Sequence, residues 1–488
     1  MNEIFKMEKN EILTDKAIIS IVLGSDCNMN CRYCYQHHKF THEKVKIEYV
    51  DRFFKDIYEN DVSPIAYDTK YHRLDLIGGE PLVYIDLISE IVELWLKYFE
   101  GSKFTGSPII VLNTNGVLFD MPKVQEFMKK YGHLCHVDFS IDGCKEAHDK
   151  NRITVDGKGT YDRVWNNFVN LDGVAWKAFR WVVDPTTVEY FSETVKGWLL
   201  SDFPYSWDYQ FNLQSMDWDK YGAKILHDEY VKLYEWYTNQ PLEFQSRNAV
   251  ITSHNRLSSI AENVIKDAII CPQTRVCLDY DGAITKCNCV AKVTTTNCTD
   301  YGNVMDENPE HRKKMWQDAF SYIRGSEMHI ENYESDCYHC PIGSKCGTCP
   351  LSNKSYTGNE YYFPKNACSV MALFHAYMVL FKNQFLYANQ QLGTKIKPNT
   401  IYFDKDYQID KPANLLLPKC WALEVMSEKE YDEIKTVTEA VGGYVNPIKT
   451  KYYTDADLEV FKQEYEKVKD ITFNAGLKKI PVMADFDD

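Results

Sequence analysis

Three cysteines stand close together near the N-terminus. They are Cys27, Cys31 and Cys34, so three residues separate the first pair and two separate the second. The apolar run Ala17–Leu23 directly before them is typical of a buried strand, which places the thiols on a loop at the carboxyl end of that strand. Three close thiolates can bind three irons of a [4Fe–4S] cluster and leave the fourth iron open to an outside ligand. A zinc knuckle, which usually needs four ligands, and buried core thiols are the alternatives.

The composition narrows the class of protein. The chain has 488 residues, which predicts about three domains, and 44% of them are hydrophobic, which is enough for a core. Its net charge of −15 argues against nucleic acid as a main partner, because phosphate contacts need a basic face. We find no signal peptide and no apolar run long enough to span a membrane, and therefore expect a cytoplasmic protein without a membrane partner. In that compartment the 16 cysteines are expected to bind metal or clusters rather than to form disulfides.

Strand-like and helix-like segments alternate over residues 17–214. Helical patterns such as Lys46–Glu59 and Tyr84–Tyr98 separate the strands, and this alternation predicts an α/β fold with a parallel sheet and right-handed crossovers. Periodicity alone leaves open whether the sheet is flat or forms a barrel. The six predicted strands are Ala17–Leu23, Arg73–Ile77, Pro108–Asn113, Cys135–Ile141, Ala178–Val183 and Trp207–Gln214.

Glycine-containing polar turns follow three of these strands. They are Gly78-Gly79-Glu80-Pro81, Asn113-Thr114-Asn115-Gly116 and Ser140-Ile141-Asp142-Gly143. Such turns at the carboxyl ends of parallel strands are where α/β enzymes bind ligands, and glycine lets a ligand approach the backbone closely. Each turn by itself is a common sequence, but their order behind the cysteine loop points to one site.

The cysteine spacing, with the aromatic Tyr33 before the third cysteine, and the Gly-Gly-Glu-Pro turn together resemble the radical S-adenosylmethionine (SAM) superfamily. The resemblance implies a partial (β/α)6 TIM-like barrel, a [4Fe–4S] cluster on the three cysteines and SAM on the open iron. It assigns Gly78, Gly79 and Glu80 to the methionyl amine of SAM and Ser140 to its polar end. Arg152 corresponds to a basic residue near the SAM carboxylate, with a surface salt bridge as the alternative; Asp142 is interpreted as a turn residue.

A second group of cysteines resembles the SPASM domain of radical SAM enzymes that modify peptides and proteins. The resemblance implies two auxiliary [4Fe–4S] clusters, hence three in all; zinc is the alternative for the later cysteines. Two residues separate Cys346 from Cys349, where the family usually has three. We assign no role to Cys289, Cys298 or Cys420. The first auxiliary cluster would use Cys271, Cys277, Cys287 and Cys349, and the second Cys337, Cys340, Cys346 and Cys368.

These patterns predict three domains: a barrel over residues 1–245, a SPASM domain over 246–375 and a mostly helical extension over 376–488. Helices are expected to begin near Ser427 and Thr454, where capping sequences occur. The extension could cover the mouth of the active site, bind a substrate leader or simply dock on the barrel.

The resemblance implies an oxidoreductase that installs cross-links in a ribosomally made precursor peptide through a 5′-deoxyadenosyl radical. Our first choice is a thioether between cysteine and carbon in a short Cys-rich peptide, with carbon–carbon links left open and with reduced flavodoxin or ferredoxin as the electron donor. The alternative is an anaerobic sulfatase-maturating enzyme, in which an aspartate base follows the cysteine matched by Cys287. Here that residue is Asn288, which cannot take a proton. A multi-cluster electron carrier is the alternative from another class, but it would not need the Gly-Gly-Glu-Pro turn.

Overall fold

The computed structural model describes residues 16–34, 36, 42–200, 206–213, 218, 221–246, 269–271, 275–321 and 323–324, with separate positions between 351 and 392. Several predictions from the sequence lie outside these residues. They concern the helices expected near Ser427 and Thr454, and the cysteines Cys337, Cys340, Cys346, Cys349, Cys368 and Cys420.

An eight-stranded sheet forms the centre of the described structure. Strands β1 to β6 and β8 are parallel, and β9 pairs antiparallel with β8. The order across the sheet is β6-β5-β4-β3-β2-β1-β8-β9, and β7 pairs with β10 in a separate two-stranded ribbon. The strands are β1 (Lys16–Val22), β2 (Tyr71–Ile77), β3 (Ser107–Thr114), β4 (Cys135–Ser140), β5 (Trp176–Val183), β6 (Ser206–Phe211), β7 (Ile269–Cys271), β8 (Arg275–Leu278), β9 (Ile284–Thr285) and β10 (Ile323–Arg324).

Residues 47–200, 221–246 and 275–319 contain nine α-helices, and most of them follow a strand of the sheet. Their apolar faces join the strands in one large core that contains Trp95, Trp181 and Trp316. No helix there is both long and apolar enough to cross a membrane. The helices are α1 (Ile47–Phe54), α2 (Ile85–Glu100), α3 (Pro122–Tyr131), α4 (Lys145–Asn151), α5 (Tyr161–Asn170), α6 (Phe191–Leu200), α7 (Tyr221–Thr238), α8 (Leu242–Gln245) and α9 (Pro309–Ala319).

The prediction of an α/β fold with a parallel sheet is confirmed. Strand β1 begins one residue before the predicted start, and the side chains of residues 17–22 are almost all buried. Strands of a parallel sheet are covered on both faces, so they read as continuous apolar runs that are easy to recognise in a sequence. Within the described ranges β6 and β9 are the edges of the sheet, so these strands form an open sheet.

Two features of the fold differ from the sequence expectations. The helix expected over Lys46–Glu59 ends as α1 at Phe54 and continues as a π-helical turn over Lys55–Glu59. That turn carries the buried Asp56, whose carboxylate accepts hydrogen bonds from Arg312 and from Trp316 Nε1 of α9. The β8–β9 hairpin, which the sequence analysis assigned to a separate small domain, extends the main sheet because β8 pairs with β1.

Candidate active site

A cleft of about 520 Å³ is bordered by the loops that follow the parallel strands. Every residue that the resemblance assigns to the first cluster or to SAM lines this cleft. Positions as far apart as the loop after β1 and the segment after α4 therefore meet in space, as the turn motifs had suggested. These residues are Cys27, Cys31, Tyr33, Cys34, Gly78, Gly79, Glu80, Ser140 and Arg152.

The Gly-Gly-Glu-Pro turn lies directly against the cysteine loop. The backbone N–H of Gly79 donates to the carbonyl of Gly24 (3.1 Å), and that of Glu80 donates to the carbonyl of Asp26 (2.9 Å). A Cβ atom added at Gly79 would collide with the carbonyl oxygens of Ser25 and Asp26. Glycine is therefore required here for the contact between the two loops, whether or not a ligand also approaches the backbone.

The opposite side of the cysteine loop is held by the segment that follows α4. The backbone N–H of Asn30 donates to the carbonyl of Ile153 (2.8 Å), and that of Arg32 donates to the carbonyl of Asn151 (3.0 Å). Met29 and Thr154 form an antiparallel bridge beside them. Because backbone hydrogen bonds fix the loop from two sides, the three cysteines are presented in a defined arrangement.

Asp142 is the centre of a buried polar network behind the loop. Its carboxylate is fully buried and accepts hydrogen bonds from Arg152 Nε (2.8 Å), from the backbone N–H of Val182 (3.0 Å) and from the hydroxyl of Tyr33. The Arg152 guanidinium lies 5.4 Å from the centre of the Tyr33 ring, within cation–π distance. Burial raises the pKa of Tyr33 well above its usual value, so the phenol stays protonated and can donate.

The interpretation of Asp142 as a turn residue is thus incomplete. The backbone N–H of Asp142 also donates to Nδ1 of the buried His148, whose pKa is lowered by burial. Helix α4 brings Arg152 back to Asp142, ten positions earlier in the chain. One signal in the sequence could have revealed the pair. An acidic residue after a strand is followed by a single short helix and then by an arginine.

Glu80 connects the ends of β2 and β3. Oε1 accepts from the backbone N–H of Leu82 (3.1 Å) and from the hydroxyl of Thr114 (2.6 Å), and Oε2 accepts from the backbone N–H of Asn115 (2.7 Å). Burial raises the pKa of Glu80 to about 7, although these three donors favour the carboxylate. Glu80 is consequently a structural tie between two turns as well as a residue of the cleft.

Asn115 contacts the cysteine loop and was noted from the sequence only as part of a turn. Its Nδ2 donates to Asn28 Oδ1 (2.7 Å) and lies 4.0 Å from the Cys27 sulfur. The backbone N–H of Met29 also donates to that sulfur, at 3.4 Å. Both donors stabilise negative charge on the thiol group of Cys27.

Strands β4, β5 and β6 supply a charged wall of the same cleft. Nε of Arg180 donates to Asp138 Oδ2 (2.9 Å), and Nη1 donates to Asp208 Oδ2 (3.4 Å). Asp138, Arg180 and Gln210 line the cleft next to Ser140. No sequence motif pointed to this group, because its members come from three strands and gain meaning only through the register of the sheet.

The second group of cysteines is described in part. Cys277 on β8 and Cys287 after β9 are buried, Cys289 and Cys298 are half-buried, and Cys271 ends β7. Asn288, the residue after Cys287, lines the cleft. Lys286 is fully buried and donates to the carbonyls of Ala319 (3.0 Å) and Ser321 (2.6 Å) at the end of α9, which fixes the hairpin there.

The donor set of the cleft fits a [4Fe–4S] cluster and SAM. Three half-buried thiols border one cavity, and thiolates are the usual ligands of such clusters. Beside them Gln36 donates from Nε2 to the Gly78 carbonyl (2.6 Å), while its buried Oε1 has no hydrogen-bond partner among the described residues. In the same ranges no three His, Cys, Asp or Glu side chains converge as they would around a single metal ion. A cubane cluster needs no such convergence, because each thiolate binds a different iron.

The protein-family comparison matches residues 21–196 to the radical SAM superfamily. This range begins in β1 and ends within α6, and it therefore includes the cysteine loop and the three glycine-containing turns. A radical SAM domain implies one [4Fe–4S] cluster and SAM.

Two curated proteins illustrate the similarity. The chain is 23% identical over 390 residues to the radical SAM cyclopropyl synthase TigE of Paramaledivibacter caminithermalis, an alignment that covers 75% of each protein. It is 30% identical over 144 residues to a cysteine-type anaerobic sulfatase-maturating enzyme of Clostridium perfringens, which covers 29% of this chain and 36% of that enzyme.

Among solved structures, the chain resembles native anSMEcpe with bound AdoMet and Cp18Cys peptide. The TM-score is 0.55 at 17% sequence identity, and the match covers 77% of this chain and 99% of the other. At this identity the likeness concerns the fold.

Proposed function

Residues 21–196 form a radical SAM domain, and from this premise we propose that the enzyme matures a ribosomally made precursor peptide by installing thioether cross-links between cysteine and carbon. Its substrate in this proposal is a short Cys-rich peptide that enters the cleft described above. The likeness to anSMEcpe supports a peptide-directed activity, since that protein was solved with a bound peptide.

The observation that carries the choice of reaction is the position of Asn288. It lines the same cleft as the loop cysteines, and it stands at the sequence position where sulfatase-maturating enzymes are expected to have an aspartate base. A carboxamide cannot accept a proton from the substrate. Two carboxylates among the described residues line the cleft, and both accept hydrogen bonds: Glu80 from three donors and Asp138 from Arg180. The cleft is therefore suited to a reaction without a carboxylate base at this position.

The roles of the chain's own residues follow from their contacts. Cys27, Cys31 and Cys34 would hold the cluster, and the polar atoms of Gly78 and Ser140 would orient SAM. The cluster with bound SAM would supply a 5′-deoxyadenosyl radical for hydrogen-atom abstraction, and an auxiliary cluster would supply an electron acceptor. The hydrogen bond from the Tyr33 hydroxyl to Asp142 ties the cysteine loop to the segment that follows β4.

The auxiliary clusters belong to the proposal as well. Cys271, Cys277, Cys287 and Cys349 would bind the first, and Cys337, Cys340, Cys346 and Cys368 the second. Buried Cys277 and Cys287 support this assignment, because Cys277 lies on β8 and Cys287 follows β9, directly before Asn288. The division into a barrel, a SPASM domain and an extension, and the need for reduced flavodoxin or ferredoxin, remain parts of the same proposal.

Other residues that line the cleft suit a peptide. They combine apolar side chains, Leu213, Met371 and Phe374, with the amides of Gln210 and Asn212. Carboxamides can donate to and accept from a peptide backbone at once, and the apolar groups can exclude water from the reacting atoms.

Co-expression with short Cys-containing reading frames next to the gene tests the proposal. The peptide should lose two hydrogens per link, because one leaves as a hydrogen atom and one as the thiol proton. The linked cysteines should resist alkylation. A control with the three loop cysteines changed to alanine should leave the peptide unmodified.

Carbon–carbon bond formation is the second candidate, because the alignment with a cyclopropyl synthase covers three quarters of this chain. That reaction would also remove two hydrogens but would leave every cysteine open to alkylation. Formylglycine in a co-expressed sulfatase, detected through its aldehyde, together with unmodified peptides would overturn both peptide readings.

A further inference from the structure

We propose that Arg180 is a binding residue for the carboxylate of SAM, a role that the sequence resemblance gave to Arg152. The proposal rests on the radical SAM part of the proposed function and not on the identity of the peptide. It starts from register: Arg180 on β5 is the direct neighbour of Ser140 on β4. Both residues line the cleft, so a guanidinium stands next to the serine that the resemblance places at the polar end of SAM.

The two arginines of the cleft differ in how much of them a ligand can reach. The Arg152 side chain is 9% exposed, and its Nε is bonded to Asp142. The Arg180 side chain is 44% exposed. Its Nη2 makes no hydrogen bond to another described residue, whereas Nε and Nη1 are held by Asp138 and Asp208. More of the Arg180 side chain is therefore open to a ligand in the cleft, whereas Arg152 is mostly buried and its Nε belongs to the network behind the cysteine loop.

Two aspartates beside Arg180 orient it without blocking it. The side chains of Asp138 and Asp208 are 12% and 10% exposed, so they expose little charge to a ligand in the cleft. They lie on the strands either side of β5 and fix the plane of the guanidinium before any ligand binds. A guanidinium that is already oriented loses little freedom when it binds a carboxylate through two parallel hydrogen bonds.

The charge of the whole protein gives this arginine further weight. The chain carries a net charge of −15, which opposes the approach of a carboxylate. Among the described residues lining the cleft, the cations are Arg152 and Arg180. The exposed one is the natural partner for the negative end of SAM.

Equilibrium dialysis with SAM and with decarboxylated SAM tests the assignment on anaerobically reconstituted protein, without any peptide. Arg180→Gln should weaken SAM binding about 10- to 100-fold, because a charge-assisted contact to the carboxylate is lost. The same variant should weaken the binding of decarboxylated SAM less than about 3-fold. Arg180→Lys keeps the charge but not the planar fork, and should lose less. Arg163→Gln removes an exposed arginine paired with Asp120 and is the matched control, expected to change neither affinity.

Several results would overturn the assignment. An equal loss of both ligands in Arg180→Gln would indicate a disturbed cleft, and unchanged SAM binding would mean no contact. A carboxylate-specific loss confined to Arg152→Gln would return the role to Arg152. If Arg180→Gln does not fold, Arg180→Lys decides, since a carboxylate-specific loss of about 3- to 10-fold is expected there. Wild-type protein that binds no SAM would overturn the proposed function as well. Arg180 variants that bind SAM as tightly as the wild type would overturn only the assignment of Arg180.

Discussion

Replacing Asp142 with asparagine should loosen the cysteine loop more than any surface charge change can. The substitution keeps the shape of the side chain but removes its charge. Arg152 would then be a buried cation without its partner, and the Tyr33 hydroxyl would lose its acceptor carboxylate. Because the arginine and aspartate side chains are 9% and 1% exposed, water cannot replace the lost interaction.

The expected cost follows from measurements on buried ion pairs. Removing one partner of such a pair typically lowers the free energy of unfolding by about 3–5 kcal/mol, because the other charge stays buried without a partner. Asp120→Asn is the matched control, because Asp120 and Arg163 form a two-point ion pair with side chains 46% and 51% exposed. An exposed pair contributes about 0–1 kcal/mol, so the two variants should differ by several kcal/mol.

Urea titration followed by tryptophan fluorescence measures the stability difference, and iron content after anaerobic reconstitution reports on the loop. Asp142→Asn should lower the unfolding midpoint and the iron bound at the loop cysteines. The double variant Asp142→Asn/Arg152→Gln should recover part of the stability, because it removes the unpaired cation. Equal midpoints and equal iron content for Asp142→Asn and Asp120→Asn would refute the anchoring role of Asp142.

Three further predictions concern the same site. Gly79→Ala should lower the free energy of unfolding by about 1–3 kcal/mol and reduce iron loading, because the added methyl group meets two backbone oxygens. Gly197→Ala in α6 is the control, since a Cβ there meets nothing within 4 Å. In urea titration this control should be neutral or stabilising. The pKa of Glu80 is about 7 in the folded protein and 4.5 in the unfolded chain. Between these pH values the folded state therefore binds more protons than the unfolded state. The free energy of unfolding of the wild type should fall as pH rises through this range. Glu80→Gln should flatten this dependence, and a parallel slope in both proteins in pH-dependent urea titrations would contradict the assignment. Replacing the three loop cysteines with alanine should abolish 5′-deoxyadenosine formation, measured by chromatography, while clusters held elsewhere stay visible by spectroscopy; continued formation would place the chemistry elsewhere.

Local patterns in the sequence were sufficient to predict the parallel strands and the loops that border the cleft. Apolar runs located the parallel strands, because burial on both faces leaves little else possible. The order of strands and turns then placed Cys27, Gly79 and Ser140 at one edge of the sheet. Chain connectivity in parallel α/β folds makes this step reliable, since every strand ends on the same side.

Contacts between distant segments of the chain could not be predicted from local sequence patterns. The bonds of Asp142 to Tyr33 and of Arg180 to Asp208 depend on strand register and on the path of the chain. The pairing of β8 with β1 requires two segments more than 250 positions apart to become neighbours. No periodicity encodes such a pairing, and a turn-forming sequence such as Ser-Ile-Asp-Gly looks the same whether its aspartate is exposed or buried.

The pairing of β8 with β1 also explains how a residue of the cysteine-rich region reaches the cleft. The register of the two strands sets Cys277 opposite Ser20, so the hairpin starts beside the strand that leads to the cysteine loop. Lys286 fastens the end of the hairpin to α9, and Arg312 of α9 is in turn paired with the buried Asp56 beside α1. Asn288, two positions after Lys286, is therefore fixed relative to the main sheet by one strand pairing and two buried charged contacts. A substitution at Asn288 would change the chemistry presented to the substrate without moving the support that places it there.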